Sequence, residues 1–582
     1  MVNVKNLFGM AVVATALVGC SSSDDLATDV KGNGNKTEAA YAKFTIQLPT
    51  VSGTRGDDPD KPGTPKFNGG TADEYAVKDA QLLIFQKSGR SEGDYKFVET
   101  VNIGNLEPWT DITPNTGVTR YANITAQLNG VSLDQTGNEY FALVILNNAG
   151  ESKVTLPTTK PETTYSAWNV AAKAKGAAAF LDSSNGFYMA NAPLYSTGEP
   201  TTLVPIKGVY STKAEAQNKP ATTVYVERGM AKVTIGSSTF DADKPVTTST
   251  NYAGDKVTIT NWTLDVLNKS TFPVHVTTGL KTDFDAIWTT PRFVATGSTP
   301  QRVYWGKDPN YDKSTLTTVE ACQDEFYIVD NNGKTYNGDP SSTFTWSEKT
   351  TPLYCLENTF DLGNMKQGQT TRVVFKATYT PHNLTGTDKT FFMIGNNTQI
   401  WTKDALVEQI TSKAKEMRKS TAVVVTINTD APLLKGGSHL LSSADVTIKD
   451  GSVDLTETFD YPTLNTKLGL NNTEKDVNGN PTVGIKTYEN GECYYIARIK
   501  HFNELTPWES GKAYGTDNAK YLGRYGVLRN NWYDLTVSKV SAPGYPDVPV
   551  VKPETTDDED TKYINVEVKI LDWAKRSQSI DL

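Results

Sequence analysis

Cysteine is scarce, with four residues in a chain of 582, and this excludes a disulfide-stapled scaffold, which needs many crosslinks in a short chain. Histidine is equally scarce: His275, His382, His439 and His501 lie far apart, without metal-ligand spacing, so no metal centre and no His-based catalytic site is expected. HExxH, P-loop and dinucleotide fingerprints are missing. The expectation is a protein that is not an enzyme and carries no cofactor. A carboxylate pair assembled only in space, as in glycosidases, stays open at this level. Runs of Lys or Arg are absent and the formal net charge is −9, which argues against a nucleic-acid groove or a polybasic membrane patch. Beyond the N-terminus, no apolar run reaches the ~20 residues of a spanning helix.

The first twenty residues carry a distinct signal. Lys5 precedes an apolar run from Leu7 to Val18, closed by Gly19-Cys20. This is a secretory signal rather than a membrane span, and it resembles the lipobox of bacterial lipoproteins, in which the Cys20 thiol is acylated, as by palmitate. The polar Ser21-Ser22-Ser23-Asp24-Asp25 that follows suits a tether leaving a membrane surface. Cys322, Cys355 and Cys493 remain. One pair among them, with Cys322 and Cys355 nearest in sequence, would leave a thiol over.

The rest of the chain is rich in β-branched residues, aromatics and turn chemistry. Residues 41–51 alternate, with Phe44, Ile46 and Leu48 on one face and Lys43, Thr45 and Gln47 on the other, the period of a half-buried strand. A Gly-, Pro- and Asp-rich stretch at 52–70 follows, an exposed loop open to proteases. Further strands are expected at 80–86, 123–128, 140–146, 223–235, 257–267, 301–305, 370–380, 492–500 and 532–540. Helices are expected at 165–182, which is Ala-rich, and at 402–419, which Thr402 can cap. Turn-rich insertions are read at 306–350 and 462–490, and a domain boundary within 196–222. Strands dominate, so the fold class is all-β, with two β-sandwich domains of transthyretin-like type and a few short helices.

The C-terminus mirrors the N-terminus. After a Pro- and Asp-rich stretch at 542–561, read as a flexible tether, Ile564, Val566, Val568 and Ile570 share one face. Two edge-type strands on loose connections suggest strand exchange. Cutting after Arg55 would free the first strand, and the last strand of another copy would fill the vacated groove. Three or four buried Val/Ile side chains at ~1.5–3 kcal/mol each, with ladder bonds at ~0.5–1.5 kcal/mol each, sum to roughly 10–15 kcal/mol before ordering costs. A head-to-tail contact of this kind, repeated, makes an open filament.

Five segments in order, 223–235 (TVYVERGMAKVTI), 352–359 (PLYCLENT), 373–381 (VVFKATYTP), 524–546 (RYGVLRNNWYDLTVSKVSAPGYP) and 566–582 (VEVKILDWAKRSQSIDL), resemble the Bacteroidales fimbrillins, or type V pilins. Within that family the resemblance is strongest to the major subunit of the short (minor) fimbria. It implies lipoprotein delivery to the outer membrane through Cys20 and cleavage between Arg55 and Gly56 by an Arg-specific protease. It further implies a departing strand holding Phe44, Ile46 and Leu48, and a donor strand holding Ile564, Val566, Val568 and Ile570. The implied organisation is a signal peptide at 1–20, a propeptide at 21–55, sandwiches at 56–210 and 211–545, and a tether with donor strand at 546–582. Implied partners are other copies of the chain, anchor and tip subunits, the protease, and host or bacterial surface receptors in adhesion and biofilm formation. Nucleic acid is not among them, and the membrane is met only through the precursor lipid. The competing expectations are a tip or accessory subunit, or a non-polymerising surface lipoprotein that stacks sugars on Trp168, Trp305 or Trp346.

Overall fold

A computed structural model describes residues 39–48, 57–58, 61–65, 71–104, 106, 110–111, 120–158, 163–174, 176–195, 198–240, 243–246, 250–287, 293, 301–330, 335–337, 346–475, 481–502, 521–557, 565–566, 568–572 and 574–581. Strands dominate it, with a few short helices, as expected of an all-β chain.

The first sheet contains β1 (Ala40–Gln47), whose apolar residues alternate, with β2 (Ala80–Gln86), β3 (Lys96–Gly104), β4 (Arg120–Leu128), β5 (Tyr140–Leu146), β6 (Met189–Asn191) and β7 (Thr222–Arg228). Their order across the sheet is β3-β2-β5-β6-β7-β1-β4. Leu82, Ile84, Ala142 and Val144 share a core with β1. Leu83, Phe85, Leu143 and Ile145 face the other way, against Trp168 of α1 (Tyr165–Ala171). Burial on both faces is why residues 140–146 read as a continuous apolar run. The single helix expected over 165–182 is two short ones, α1 and Ala177–Phe180, separated at Gly176, whose φ of 108° no helix accommodates.

The run 223–235, expected as one strand, breaks at Gly229. β7 closes the first sheet, and β8 (Met230–Ile235) opens the second half of the fold. A Cβ at Gly229 would sit 2.6 Å from ring atoms of Phe180 and 2.9 Å from Tyr188, and both rings are buried. Gly229→Ala is therefore expected to lower stability by about 1–3 kcal/mol through overpacking, read as a shift in the urea midpoint. An unchanged midpoint would mean that the rings move aside freely.

The second half adds β9 (Lys256–Asp265), β10 (Leu353–Leu356), β11 (Arg372–Thr380), β12 (Glu492–Arg498) and β13 (Asn531–Lys539). One sheet contains β10-β8-β13 and another β9-β11-β12. They share one core, to which Val233, Ile235, Leu535 and Val537 come from the first sheet and Val257, Trp262, Phe375 and Tyr495 from the second. A bulge between Ile259 and Asn261 shifts the pairing of β9, which is how Val257, Ile259, Trp262 and Leu264 all face the same core.

Between β11 and β12 the chain makes a long excursion with its own core of Phe392, Leu406, Ile410, Val423, Val425 and Ile448. Its α2 (Lys403–Arg418) starts where Thr402 Oγ1 accepts the Ala405 N–H at 3.2 Å, and it ends at a left-handed Lys419. The stretch 462–490, expected to be turn-rich, is instead part of this unit, with a helix at Tyr461–Lys467 and a strand at Ile485–Tyr488. Asp460 caps that helix and Pro462 lies in its first turn, so residues read as turn formers serve as a helix start. Likewise the insertion at 306–350 holds a helix, Val319–Glu325, capped by Thr318.

The Pro- and Asp-rich stretch after β13 is not a flexible tether over its first part. Residues 540–557 run as a strap across the β9-β11-β12 sheet. Tyr545 and Tyr494 exchange backbone hydrogen bonds at 2.8 and 2.9 Å. Tyr495 and Tyr488 hydroxyls donate to the carbonyls of Ala542 and Gly544, and Val548 and Val551 are buried. Apart from the Tyr545 pairing, carbonyls of this Pro-rich segment are met by side-chain donors from distant strands, so composition alone misread it. Farther on, the backbone forms the antiparallel strands β14 (Val568–Asp572) and β15 (Ala574–Asp581), and β15 lies parallel to β13.

The N-terminal strand and its groove as candidate assembly site

β1 is the element on which the functional expectation turns, and it is an interior strand. The edge-type position expected for it is corrected: eight residues, Ala40 to Gln47, pair antiparallel with β4, and Phe44 to Gln47 pair parallel with β7. The alternation that marked it as a strand also decides its seating. Ala40, Ala42, Phe44 and Ile46 are fully buried and Leu48 is 1% exposed, against Leu82, Ile84, Val144 and Val224. On the opposite face Lys43 Nζ donates to the Gln217 carbonyl at 3.0 Å, and Thr45 Oγ1 to Asn123 Oδ1 at 2.7 Å. A mainly apolar seat with few polar contacts is one that another alternating strand can occupy.

The two flanks of residues 49–70 are held differently. Upstream lies β1, bound through its ladders and side chains. Downstream, the Thr71 N–H donates to Glu74 Oε2 at 2.9 Å, and Glu74, 1% exposed, is fastened to the second half of the fold. Its Oε1 accepts from Lys232 Nζ at 2.6 Å and from the Tyr354 hydroxyl at 2.5 Å, and its carbonyl accepts from Arg228 Nε at 2.8 Å. Lys232 also lies 3.9 Å from the centre of the Trp532 ring. Burial pushes the Glu74 carboxyl up, but the hydrogen bonds from Lys232 and Tyr354 and the charge of Lys232 outweigh it and hold the group below its usual 4.5. Sequence reasoning missed this staple. Glu74, Lys232 and Tyr354 are far apart in the chain, and no local pattern marks them.

Other expected residues fall as follows. Cys20, Arg55, Gly56 and Ile564 lie outside the described residues. Val566 sits in a two-residue strand, and Val568 and Ile570 in β14. Cys322, Cys355 and Cys493 are free and buried, and burial pushes each thiol up to about 12. Trp168 and Trp305, considered as exposed sugar-stacking residues, are instead buried at 4% and 0% exposure. Trp168 Nε1 donates to the Thr155 carbonyl, so its polar edge is used internally. Trp346 is half-buried against Tyr494. The four histidines have structural partners: Glu227 for His275, Asp255 for His382, the Lys435 carbonyl for His439, and Tyr533 for His501. Among the described residues no three His, Cys, Asp or Glu side chains converge as metal ligands.

Comparison with known proteins adds to this geometry. Residues 486–579 match the family described as major fimbrial subunit protein type IV, fimbrillin, C-terminal. Among solved structures, a candidate cell adhesion protein from Bacteroides eggerthii is 11% identical over 94% of this chain and 100% of that one, with a TM-score of 0.32. A fimbrial assembly protein from Parabacteroides distasonis is 11% identical over 58% of this chain and 96% of that one, at 0.23. The tip fimbrial protein Mfa3 from Porphyromonas gingivalis, truncated at its C-terminus, is 9% identical over 59% and 81%, at 0.20. None of these three likenesses is close enough to transfer a role, and no curated protein sequence is significantly similar. The similarity to the fimbrillins thus lies in residues 486–579, the C-terminal region of the chain.

Proposed function

We propose that the chain is a structural subunit of a cell-surface fimbria, a stalk subunit of the kind that forms the short fimbria. In this reading it is exported as a lipoprotein acylated on Cys20 and trimmed between Arg55 and Gly56 by an Arg-specific protease. β1 then leaves its groove, and the C-terminal strand of another copy, with Ile564, Val566, Val568 and Ile570, takes its place. Anchor and tip subunits and surface receptors are the further partners of such a fibre. The seat of β1 carries the proposal. The strand lies between β7 and β4 with every inward side chain buried, yet residues 49–70 are its link to the downstream chain. The Glu74 staple lies beyond that segment, so a cut there separates β1 from the rest without loosening the downstream flank. The vacated groove would present two unpaired strand edges, a strong template for a new strand.

Limiting trypsin treatment of the purified precursor, lacking its signal peptide, tests this. The expected result is SDS-resistant ladders with a new N-terminus at Gly56, and no ladders from a variant truncated after Thr561. A cut protein that stays monomeric, or a truncated variant that still makes ladders, would overturn donor-strand assembly.

A further inference from the structure

Strand exchange, the reading on which this inference rests, fixes neither where the donor arm leaves the subunit nor which face meets the next copy. The strap supplies both. Its far end is clasped to a corner formed by residues 361–370 and 552–557. Lys366 and Thr556 are antiparallel bridge partners. The Gln367 N–H donates to the Thr555 carbonyl at 2.9 Å, and the Asp557 N–H to the Met365 carbonyl at 3.2 Å. Lys366 pairs with Glu554 at 3.0 Å.

Beneath the strap, Arg372 and Arg498 are register partners on β11 and β12. Arg372 Nη2 donates to the Pro549 carbonyl at 2.6 Å, and Arg498 Nε donates to the Asp557 carbonyl. Asp557 is fully buried, and its carboxylate accepts from Thr370 Oγ1 at 3.1 Å. Peeling the strap would expose Val548 and Val551, take the Asp557 carbonyl from Arg498, and leave Arg372 with Asp265 but without the Pro549 carbonyl.

We infer that the strap stays latched in the fibre, so that the corner at 361–370 and 552–557 is the face against which the N-terminal sheet of a second copy docks. The reach of the arm decides this. From Asp557 to Ile564 is seven residue steps (564 − 557), at most about 25 Å of extended chain. The groove that receives Ile564 must therefore lie within that distance of the corner. Were the strap to peel back to Val540, another seventeen steps (557 − 540) would be released, roughly 56–61 Å, and the two copies would need no contact at all. A latched strap ties the donor arm to a fixed origin and gives the joint a defined geometry.

Two variants of the full chain test this. Lys366→Cys with Thr556→Cys places thiols on antiparallel partners, whose Cα separation of about 4.5–5.5 Å falls within the range a disulfide spans. After cutting, the oxidised variant is expected to make ladders at a rate within twofold of its reduced form and of the wild type. Ladders that appear only on reduction would show that the strap must open, and would overturn the inference. Independently, a photo-crosslinking residue at the exposed Lys552 is expected to capture residues 120–128 or 222–228 of a neighbouring copy. Inter-subunit adducts elsewhere, or none, would also overturn it. If the wild type makes no ladders in the same reaction, the strand-exchange reading has failed instead, and the two failures are distinguished.

Discussion

Glu74→Ala is expected to destabilise the folded chain by about 3–5 kcal/mol, because it leaves the Lys232 ammonium buried without its carboxylate. The partners are 1% and 5% exposed at the side chain, so solvent cannot take over. The Tyr354 hydroxyl loses its acceptor in the same step. Replacing both charges, as in Glu74→Leu with Lys232→Met, is expected to recover most of the loss, since an apolar pair of similar volume avoids the desolvation cost. Urea unfolding of the two variants makes the comparison; a single variant as stable as the double one would refute the staple. The staple also sets an acid limit. The folded-state carboxyl of Glu74 lies below its usual 4.5, so its contribution is complete above that value and is lost as pH falls through the folded-state value. Glu357 follows the same sign: burial pushes its carboxyl up, but Arg529 and His275 hold it below the usual range. Wild-type stability should thus decline below about pH 4.5, and the double variant should decline less steeply, having lost the Glu74 part.

Phe44→Ala is the second large effect, and under the proposed cleavage its sign differs before and after the cut. In the uncut precursor Phe44 is fully buried, and truncating it should cost about 3–5 kcal/mol. Once the loop is cut, the same substitution weakens only the seat of a departing strand. Each 1.4 kcal/mol lost from that seat is a tenfold change in its binding constant. Ladder formation should therefore start sooner in the variant, if strand departure limits the rate, while the finished ladders match those of the wild type. Equal precursor stability would show that Phe44 is not a principal anchor; a ladder altered in its final resistance to SDS would show that β1 stays in the fibre.

How far these features could be read in advance depended on whether their causes were local. The alternation of Phe44, Ile46 and Leu48 and the capping of α2 by Thr402 are written within a few residues, and the corresponding elements are present where expected. The interior position of β1 was hidden, because alternation reports one buried face and says nothing about neighbours on either edge. Gly229 looked like an ordinary residue within a strand until its ring neighbours, 2.6 and 2.9 Å from a would-be Cβ, showed why the chain changes sheet there. The strap was misread for a related reason. Its carbonyls are satisfied by Tyr488, Tyr495, Arg372 and Arg498, donors from distant strands that leave no trace in the composition of residues 540–557.

The excursion between β11 and β12 has a consequence for how this protein tolerates change. The chain leaves and rejoins one sheet at adjacent strands, with Thr378 opposite Glu492, so the whole excursion occupies the position of a hairpin turn. Much of its apolar interior is its own, while Phe391, Met393 and Tyr488 join the core of the two sheets and Tyr488 also holds the strap. Residues lining that separate core can therefore drift together in sequence without disturbing either the seat of β1 or the clasp at Asp557. Under the proposed strand exchange, change would gather in this excursion, while the seat of β1 and the clasp, which that reading fits to a neighbouring copy, would stay constant.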